Sequence, residues 1–253
     1  MQIHESFGCD FAQDTGFGQL DTLTGGFKGG DVILLGGRPA IGKSSFLYTL
    51  IQHICGKQGR SCVLFSNDTI NVVIRRLIRQ HTGLFYPDAL KEEFLLALQR
   101  VYSFDLSISD SDTDIADIIR RCKRLNTYHK LIMIDDLQMI GLSGNYGHTR
   151  EMKKEILWTL KAFALNNDCV FLVTSQLGRG PEYRTDHRPR IRDLYLSKDF
   201  GDYVDQILLL YRDIYDPQRI RNEHAIIELV YHKNGKKAPV DLWYDIEKEG
   251  FKA

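Results

Sequence analysis

The stretch Asp31-Val32-Ile33-Leu34-Leu35-Gly36-Gly37-Arg38-Pro39-Ala40-Ile41-Gly42-Lys43-Ser44 decides how the rest of the chain is read. Its first five residues have the composition of a buried strand, and residues 37–44 complete a phosphate-binding loop of the form Gly-x-x-x-x-Gly-Lys-Ser. The glycines let the backbone wrap an anion with no Cβ in the way. The amides that open the next helix then point at the β- and γ-phosphates. Lys43 supplies a mobile positive charge, and the Ser44 hydroxyl suits Mg²⁺, a hard cation that prefers oxygen ligands. Nucleotide contacts are therefore expected from Gly37, Arg38, Pro39, Ala40, Ile41, Gly42, Lys43, Ser44 and Ser45.

The 253 residues are 43% apolar, enough for one sizeable core, and α/β folds often use such a length for a single domain. Formal net charge is zero, so affinity for nucleic acid must come from a local basic patch rather than a global field. Cys9, Cys55, Cys62, Cys122 and Cys169 are odd in number and lack a C-x-x-C pair, which argues against a disulfide framework and points to a reducing cytosol. No apolar run approaches the roughly 20 residues that span a bilayer, and residues 1–8 show no signal pattern. A soluble, cytoplasmic protein without a membrane partner is expected.

Strand-like runs at 31–35, 62–66, 104–108, 131–135, 169–175, 205–212, 225–232 and 241–246 alternate with helical periodicity at 43–55, 69–81, 90–102, 114–125 and 150–166. That alternation predicts an α/β fold with a mostly parallel central sheet flanked by helices. The last three strands lack long helices between them and read as an antiparallel C-terminal extension. Residues 142–149 and 178–199 are the two long irregular stretches, and loops of that length are usually functional.

Leu131-Ile132-Met133-Ile134-Asp135-Asp136 is an apolar strand ending in carboxylates. Ligands of open parallel sheets sit beyond the carboxyl ends of the strands, so Asp135 is placed to hold the magnesium shell. Asp136, on the alternate face, is expected to point elsewhere unless twisting at the strand end brings it toward the attacking water. Two neighbouring strand ends add candidates. Asp68 either orients the water that attacks the γ-phosphate or caps the helix at 69–81. Gln176 either reads the γ-phosphate and reports it to the adjoining loop or faces solvent.

In order along the chain come Thr15-Gly16-Phe17, Leu20-Asp21, Gly25-Gly26 and Gly30-Asp31, then the phosphate loop and Ile134-Asp135-Asp136-Leu137-Gln138. After them come Ser175-Gln176-Leu177, Arg188-Pro189, Asp193-Leu194, Asp205, Tyr211-Arg212-Asp213 and Asn234-Gly235. This ordered set, covering residues 15–243, resembles the motor domain of DnaB-type replicative helicases, P-loop NTPases with a RecA-like fold. The resemblance implies a motor domain at 15–253 behind a short tail at 1–14, standing without that family's N-terminal domain. It implies an ATPase that binds ATP with Mg²⁺ between subunits of a ring, a homo-hexamer, and pulls single-stranded DNA through its channel alongside other replication proteins. Lys43, Asp68, Asp135 and Gln176 would serve catalysis, Arg212 would contact the nucleotide, and Lys233 would reach in from the next subunit. Residues 178–199 would line the channel. Five arginines against Glu182 and Asp186 give residues 178–192 a local +3, and Arg179, Arg184, Tyr195 and Lys198 are the expected nucleic-acid contacts.

Three positions depart from the family's usual pattern. Asp68 stands where a glutamate is usual, one methylene shorter. Tyr231-His232-Lys233-Asn234-Gly235 replaces a Lys-x-Arg-Asn-Gly run, so the bridging cation lacks arginine's planar fork. Asp193-Leu194-Tyr195-Leu196-Ser197-Lys198 replaces Asp-Leu-Arg-Glu-Ser-Gly, exchanging an arginine for an aromatic that can stack on bases. The residues leave two functions open: an ATP-driven DNA translocase or helicase, and a catalytically weakened nucleotide-binding module that assembles with or regulates a replicative helicase.

Overall fold

The computed structural model describes residues 12–84, 92–126, 130–143, 149–196, 198–212 and 223–252. Cys9, the start of the helix expected at 90–102, residues 144–148 of one irregular stretch, Ser197 and Asp213 lie outside the described residues.

A short pairing of β1 (Ala12–Gln13) with β2 (Phe27–Lys28) brackets α1 (Gly18–Thr24). The chain then alternates through β3 (Val32–Gly37), α2 (Lys43–Ile54), β4 (Cys62–Ser66), α3 (Ile70–Thr82) and α4 (Glu92–Tyr102). It continues through β5 (Leu106–Ser109), α5 (Ile115–Arg124), β6 (Leu131–Asp135), α6 (Arg150–Asn167), β7 (Val170–Gln176) and β8 (Gln206–Arg212). The end of the chain is β9 (His224–His232), β10 (Ala238–Asp245) and β11 (Gly250–Lys252).

The main sheet has nine strands in the order β11-β10-β9-β8-β3-β7-β6-β4-β5. Pairing is parallel from β8 across to β5 and antiparallel between β8 and β9, β9 and β10, and β10 and β11. The antiparallel extension therefore begins one strand later than the sequence suggested: β8 pairs in parallel with β3, aligning Ile33 with Gln206. Between β7 and β8 the crossover is made by the long stretch of 3₁₀ turns at 180–202 rather than by an α-helix, which is why no helical period marked it.

The central strands are buried on both faces, and their alternation splits the core in two. Ile33 and Leu35 pack with Leu47, Leu50, Leu64, Met133 and Leu172 beneath α2, α3 and α4. Val32 and Leu34 face the other way, with Ile132, Ile134, Phe171 and Val173 against α5 and α6. Helix ends follow local chemistry. Asp114 accepts the Ala116 amide at 2.9 Å to start α5, and Thr149 accepts that of Met152 at 3.2 Å to start α6. Gly83, with φ 80°, closes α3 in the left-handed conformation. Among the described residues no helix is long and apolar enough to cross a membrane.

Candidate functional site

β3 lies in the middle of the sheet, and the loop at 37–42 leaves its carboxyl end to begin α2 at Lys43. Gly42 takes φ 110°, a conformation closed to side chains, and a Cβ there would lie 3.0 Å from Phe251. The first-turn amides of α2 have no intrahelical acceptors, so they are directed at whatever anion the loop encloses. Ser44 and Ser45 are half-buried on this first turn, while Pro39 and Ala40 are exposed at the loop's tip.

Lys43 folds back over the loop, its Nζ donating to the carbonyls of Gly37 at 3.1 Å and Arg38 at 3.2 Å. Burial pushes its pKa down, and the carboxylates of Asp135 and Asp136 oppose that. Asp135 closes β6, two strands from β3, and its Oδ1 accepts the Thr174 hydroxyl at 2.6 Å. Its other oxygen accepts no hydrogen bond among the described residues. The Asp135 carboxylate and the Ser44 hydroxyl are oxygen donors of the kind a magnesium ion takes.

Asp136 was expected to turn away, yet its charge acts on Lys43 as well. The cis Asp135–Asp136 peptide leads into a 3₁₀ turn at Leu137–Met139, whose Gln138 amide donates to Asp136 Oδ1 at 3.0 Å. Gln176 Nε2 donates to Asp136 Oδ2 at 3.0 Å, and Gln138 Oε1 accepts the Gln176 amide at 3.1 Å. Burial raises the Asp136 pKa against the opposing Gln176 hydrogen bond. The exposed Gln176 side chain is thus held by an acid of the site rather than by solvent alone.

Asp68 is not a helix cap. Thr69 occupies the cap position of α3 and makes no side-chain cap bond. Asp68 Oδ2 instead receives the Tyr48 hydroxyl at 3.3 Å and the Arg76 guanidinium at 3.0 Å. Tyr48 lies one turn beyond Ser44, and burial followed by the charge of Asp135 raises its pKa. Ser66 is in register with Asp135, so Asp68 shares the sheet edge that carries the acids.

Arg212 ends β8 and is buried, its guanidinium 3.6 Å from the centroid of Tyr244. Burial lowers its pKa, with Tyr244 opposing. Tyr244 also lies 3.6 Å from where a Gly42 Cβ would be, so this stacked pair flanks the phosphate loop. Tyr244, on β10, and Tyr48, on α2, were not singled out from the sequence, because a lone aromatic in a strand or helix carries no spacing signal, and Gln138 was named only within the Ile134–Gln138 run.

The Arg38 guanidinium donates to the Leu177 carbonyl at 2.7 Å and pairs with Glu182, tying the phosphate loop to the 180–183 turn. Arg184, expected to face nucleic acid, is committed to a bidentate pair with Asp193 at 2.7 and 2.5 Å, and both side chains are nearly buried. It shapes the loop and does not present a free cation. Arg179, Tyr195 and Lys198 are exposed, with Tyr195 at φ 53° and 51% accessible.

Lys233 lies near Asp31, at the end of β3 opposite the phosphate loop. Its Nζ reaches Asp31 Oδ1 at 2.7 Å and Asp205 Oδ1 at 3.1 Å. Lys161 shares Asp205 at 2.7 and 2.8 Å and holds the Gly30 carbonyl at 2.8 Å. Within one chain this cation is a tie between strands.

The family described as DnaB-like helicase C terminal domain matches residues 13–253. The replicative DNA helicase DnaB of Geobacillus stearothermophilus is 30% identical over 253 residues, covering 94% of this chain and 55% of that protein. The chain thus spans about half the length of such curated relatives. Among solved structures, that of a DnaB-like replicative helicase, described with its interactions with primase, superposes with a TM-score of 0.82 at 25% identity. It covers 94% of this chain and 62% of the other. The RadB recombinase, at 18% identity, gives a TM-score of 0.61 over 94% of this chain and 97% of its own, a likeness of fold alone. The fold is that of RecA-like ATPase domains.

Proposed function

The chain belongs to the DnaB-like helicase C-terminal domain family, and from that premise we propose that it is an ATP-hydrolysing motor that moves on single-stranded DNA as part of a ring, in the work of a replicative helicase. The observation that carries this reading is the convergence of Lys43, Asp135 and the Asp136–Gln176 pair at the carboxyl ends of β3, β6 and β7. In it, Lys43 and the first-turn amides of α2 hold the β- and γ-phosphates. Asp135 and Ser44 hold the magnesium ion, which when bound neutralises charge building on the transferred phosphoryl group. Asp68 orients the attacking water from the adjacent strand end, its position set by Arg76 and Tyr48. Gln176 links the acid beside the γ-phosphate to the loop that carries Arg179, Tyr195 and Lys198, the proposed DNA contacts. Arg212 and Tyr244 flank the nucleotide, and Lys233 is the cation offered toward a neighbouring subunit.

A second reading is favoured by one observation: Lys233 and Asp68 are both engaged by charged partners of their own chain. A nucleotide-binding subunit that assembles with a motor but hydrolyses slowly would have those features. ATP turnover measured with and without single-stranded DNA separates the two. The motor reading expects severalfold stimulation that Lys43→Ala abolishes; tight nucleotide binding with no stimulated turnover supports the second reading instead.

A further inference from the structure

Leu177 joins the phosphate loop to the segment that follows β7, and it is held from both sides. Its amide donates to the Gly37 carbonyl at 3.3 Å, and its own carbonyl accepts the Arg38 guanidinium at 2.7 Å. Leu177 itself is 3% exposed, so no water competes for these bonds. The same guanidinium pairs with Glu182, and Gly37 and Arg38 together grip residues 177–182 by two hydrogen bonds and an ion pair. Arg38 Nε is buried and has no acceptor among the described residues. A buried donor left unpaired favours any rearrangement that supplies a partner.

Lys43 touches this clamp directly. Its Nζ donates to the carbonyls of Gly37 at 3.1 Å and Arg38 at 3.2 Å, the two residues that hold Leu177. The Gly37 carbonyl is thus shared between an ammonium and the Leu177 amide. One residue past Leu177, the Gly178 amide donates to the Asp193 carbonyl at 3.0 Å, and the Asp193 carboxylate is locked to Arg184 at 2.7 and 2.5 Å. A continuous run of direct contacts therefore leads from Lys43 through Gly37, Arg38 and Leu177 to the far end of the loop.

We propose that Arg38 and Glu182 are positioning residues, an ion pair through which phosphate at Lys43 sets the 177–183 segment. A phosphate that takes the Lys43 ammonium leaves the Gly37 carbonyl to the Leu177 amide alone and tightens that bond. It also frees the Arg38 carbonyl, so the Arg38 peptide turns and its guanidinium carries the change to Leu177 and Glu182. A ligand shifts a conformational equilibrium only through such a difference in interaction between two states. The coupling is reciprocal, so holding the segment through Glu182 strengthens nucleotide binding. The inference rests on the reading of residues 37–45 as a nucleotide site and is independent of what the loop at 178–195 grips.

The test is hydrogen exchange in the full chain at the amides of Leu177, Gly178 and residue 182, with and without a non-hydrolysable ATP analogue and magnesium, beside calorimetric titration of the same analogue. In the wild type the analogue is expected to slow exchange at all three amides at least fivefold. Glu182→Gln keeps an acceptor but no charge; it is expected to retain the slowing at Leu177, to lose it at Gly178 and residue 182, and to bind the analogue three- to tenfold more weakly. Glu182→Asp is expected to restore part of both. A merely structural Glu182 would speed exchange in Glu182→Gln with and without the analogue alike and leave the nucleotide-dependent difference in place, which overturns the proposal. Should Glu182→Gln fail to fold, a wild type whose slowing stops at Leu177 overturns it equally. The titration separates the two readings: an analogue that does not bind removes the nucleotide site and this inference with it, whereas binding that leaves all three amides unchanged overturns the inference alone.

Discussion

Asp205→Asn is expected to weaken the fold far from the nucleotide site, and its size follows from the contacts. Asp205 is 5% exposed and accepts the Val32 amide at 2.8 Å, both Lys161 contacts at 2.7 and 2.8 Å, and Lys233 at 3.1 Å. Asparagine keeps one acceptor oxygen and turns an NH₂ group toward two ammonium ions. Removing one partner of a buried pair costs about 3–5 kcal/mol. Lys161 retains the Gly30 carbonyl, which moderates the loss. Lys233 retains Asp31 and its side chain is 44% exposed, so its share is discounted to at most about 1 kcal/mol. The sum expected is about 3 kcal/mol, which for a domain of this size lowers Tm by roughly 6–12 °C. Urea denaturation at unchanged slope, with a calorimetric Tm, reads it directly. A loss below about 1 kcal/mol would refute the reasoning, because the network would then be worth no more than a surface pair.

Other substitutions probe the site itself. Asp136→Asn is expected to raise the thermal stability of the nucleotide-free protein at pH 7. Burial lifts the folded-state pKa of Asp136, so the folded state binds that proton more tightly than the unfolded chain. Stability is complete below the unfolded carboxylate pKa and falls as pH rises through the folded one; the gain from asparagine should therefore fade in acid, and a gain that grows in acid contradicts the assignment. Tyr244→Leu removes the face on which Arg212 lies, and nucleotide affinity should drop roughly 3- to 30-fold by the usual worth of such a contact, with kcat little changed; isothermal titration checks it. Gly36→Val places a Cβ 2.7 Å from Leu209 and 3.0 Å from Leu194, and overpacking of this kind costs about 1–3 kcal/mol, measurable by denaturation. Lys233→Arg should raise turnover of an assembled ring if the residue acts across subunits, since a guanidinium neutralises developing charge bidentately; unchanged kinetics would leave it to the Asp31–Asp205 network.

The parts of this molecule legible from sequence are those whose chemistry is local. β4 and β6 fall at 62–66 and 131–135, as their apolar runs indicated, because a strand buried on both faces has no polar alternation to obscure its ends. The phosphate loop was equally plain, since its spacing is its mechanism. Short elements were not. α1 has seven residues and β11 three, too few for either period to register. Long-range pairings were invisible in principle: nothing near Lys233 announces Asp31, which is 202 residues away. The arginine-rich stretch at 178–192 read as a basic patch, but its Arg184 is absorbed by Asp193, and its Glu182 pairs with Arg38 of the phosphate loop.

The most direct test of the account is ATP turnover per chain measured across protein concentration in the presence of single-stranded DNA, with the mass of each sample followed by light scattering. The account predicts turnover that appears as chains assemble, rises with DNA and disappears in Lys43→Ala. DNA-independent turnover that stays constant per chain on a monomer would contradict it.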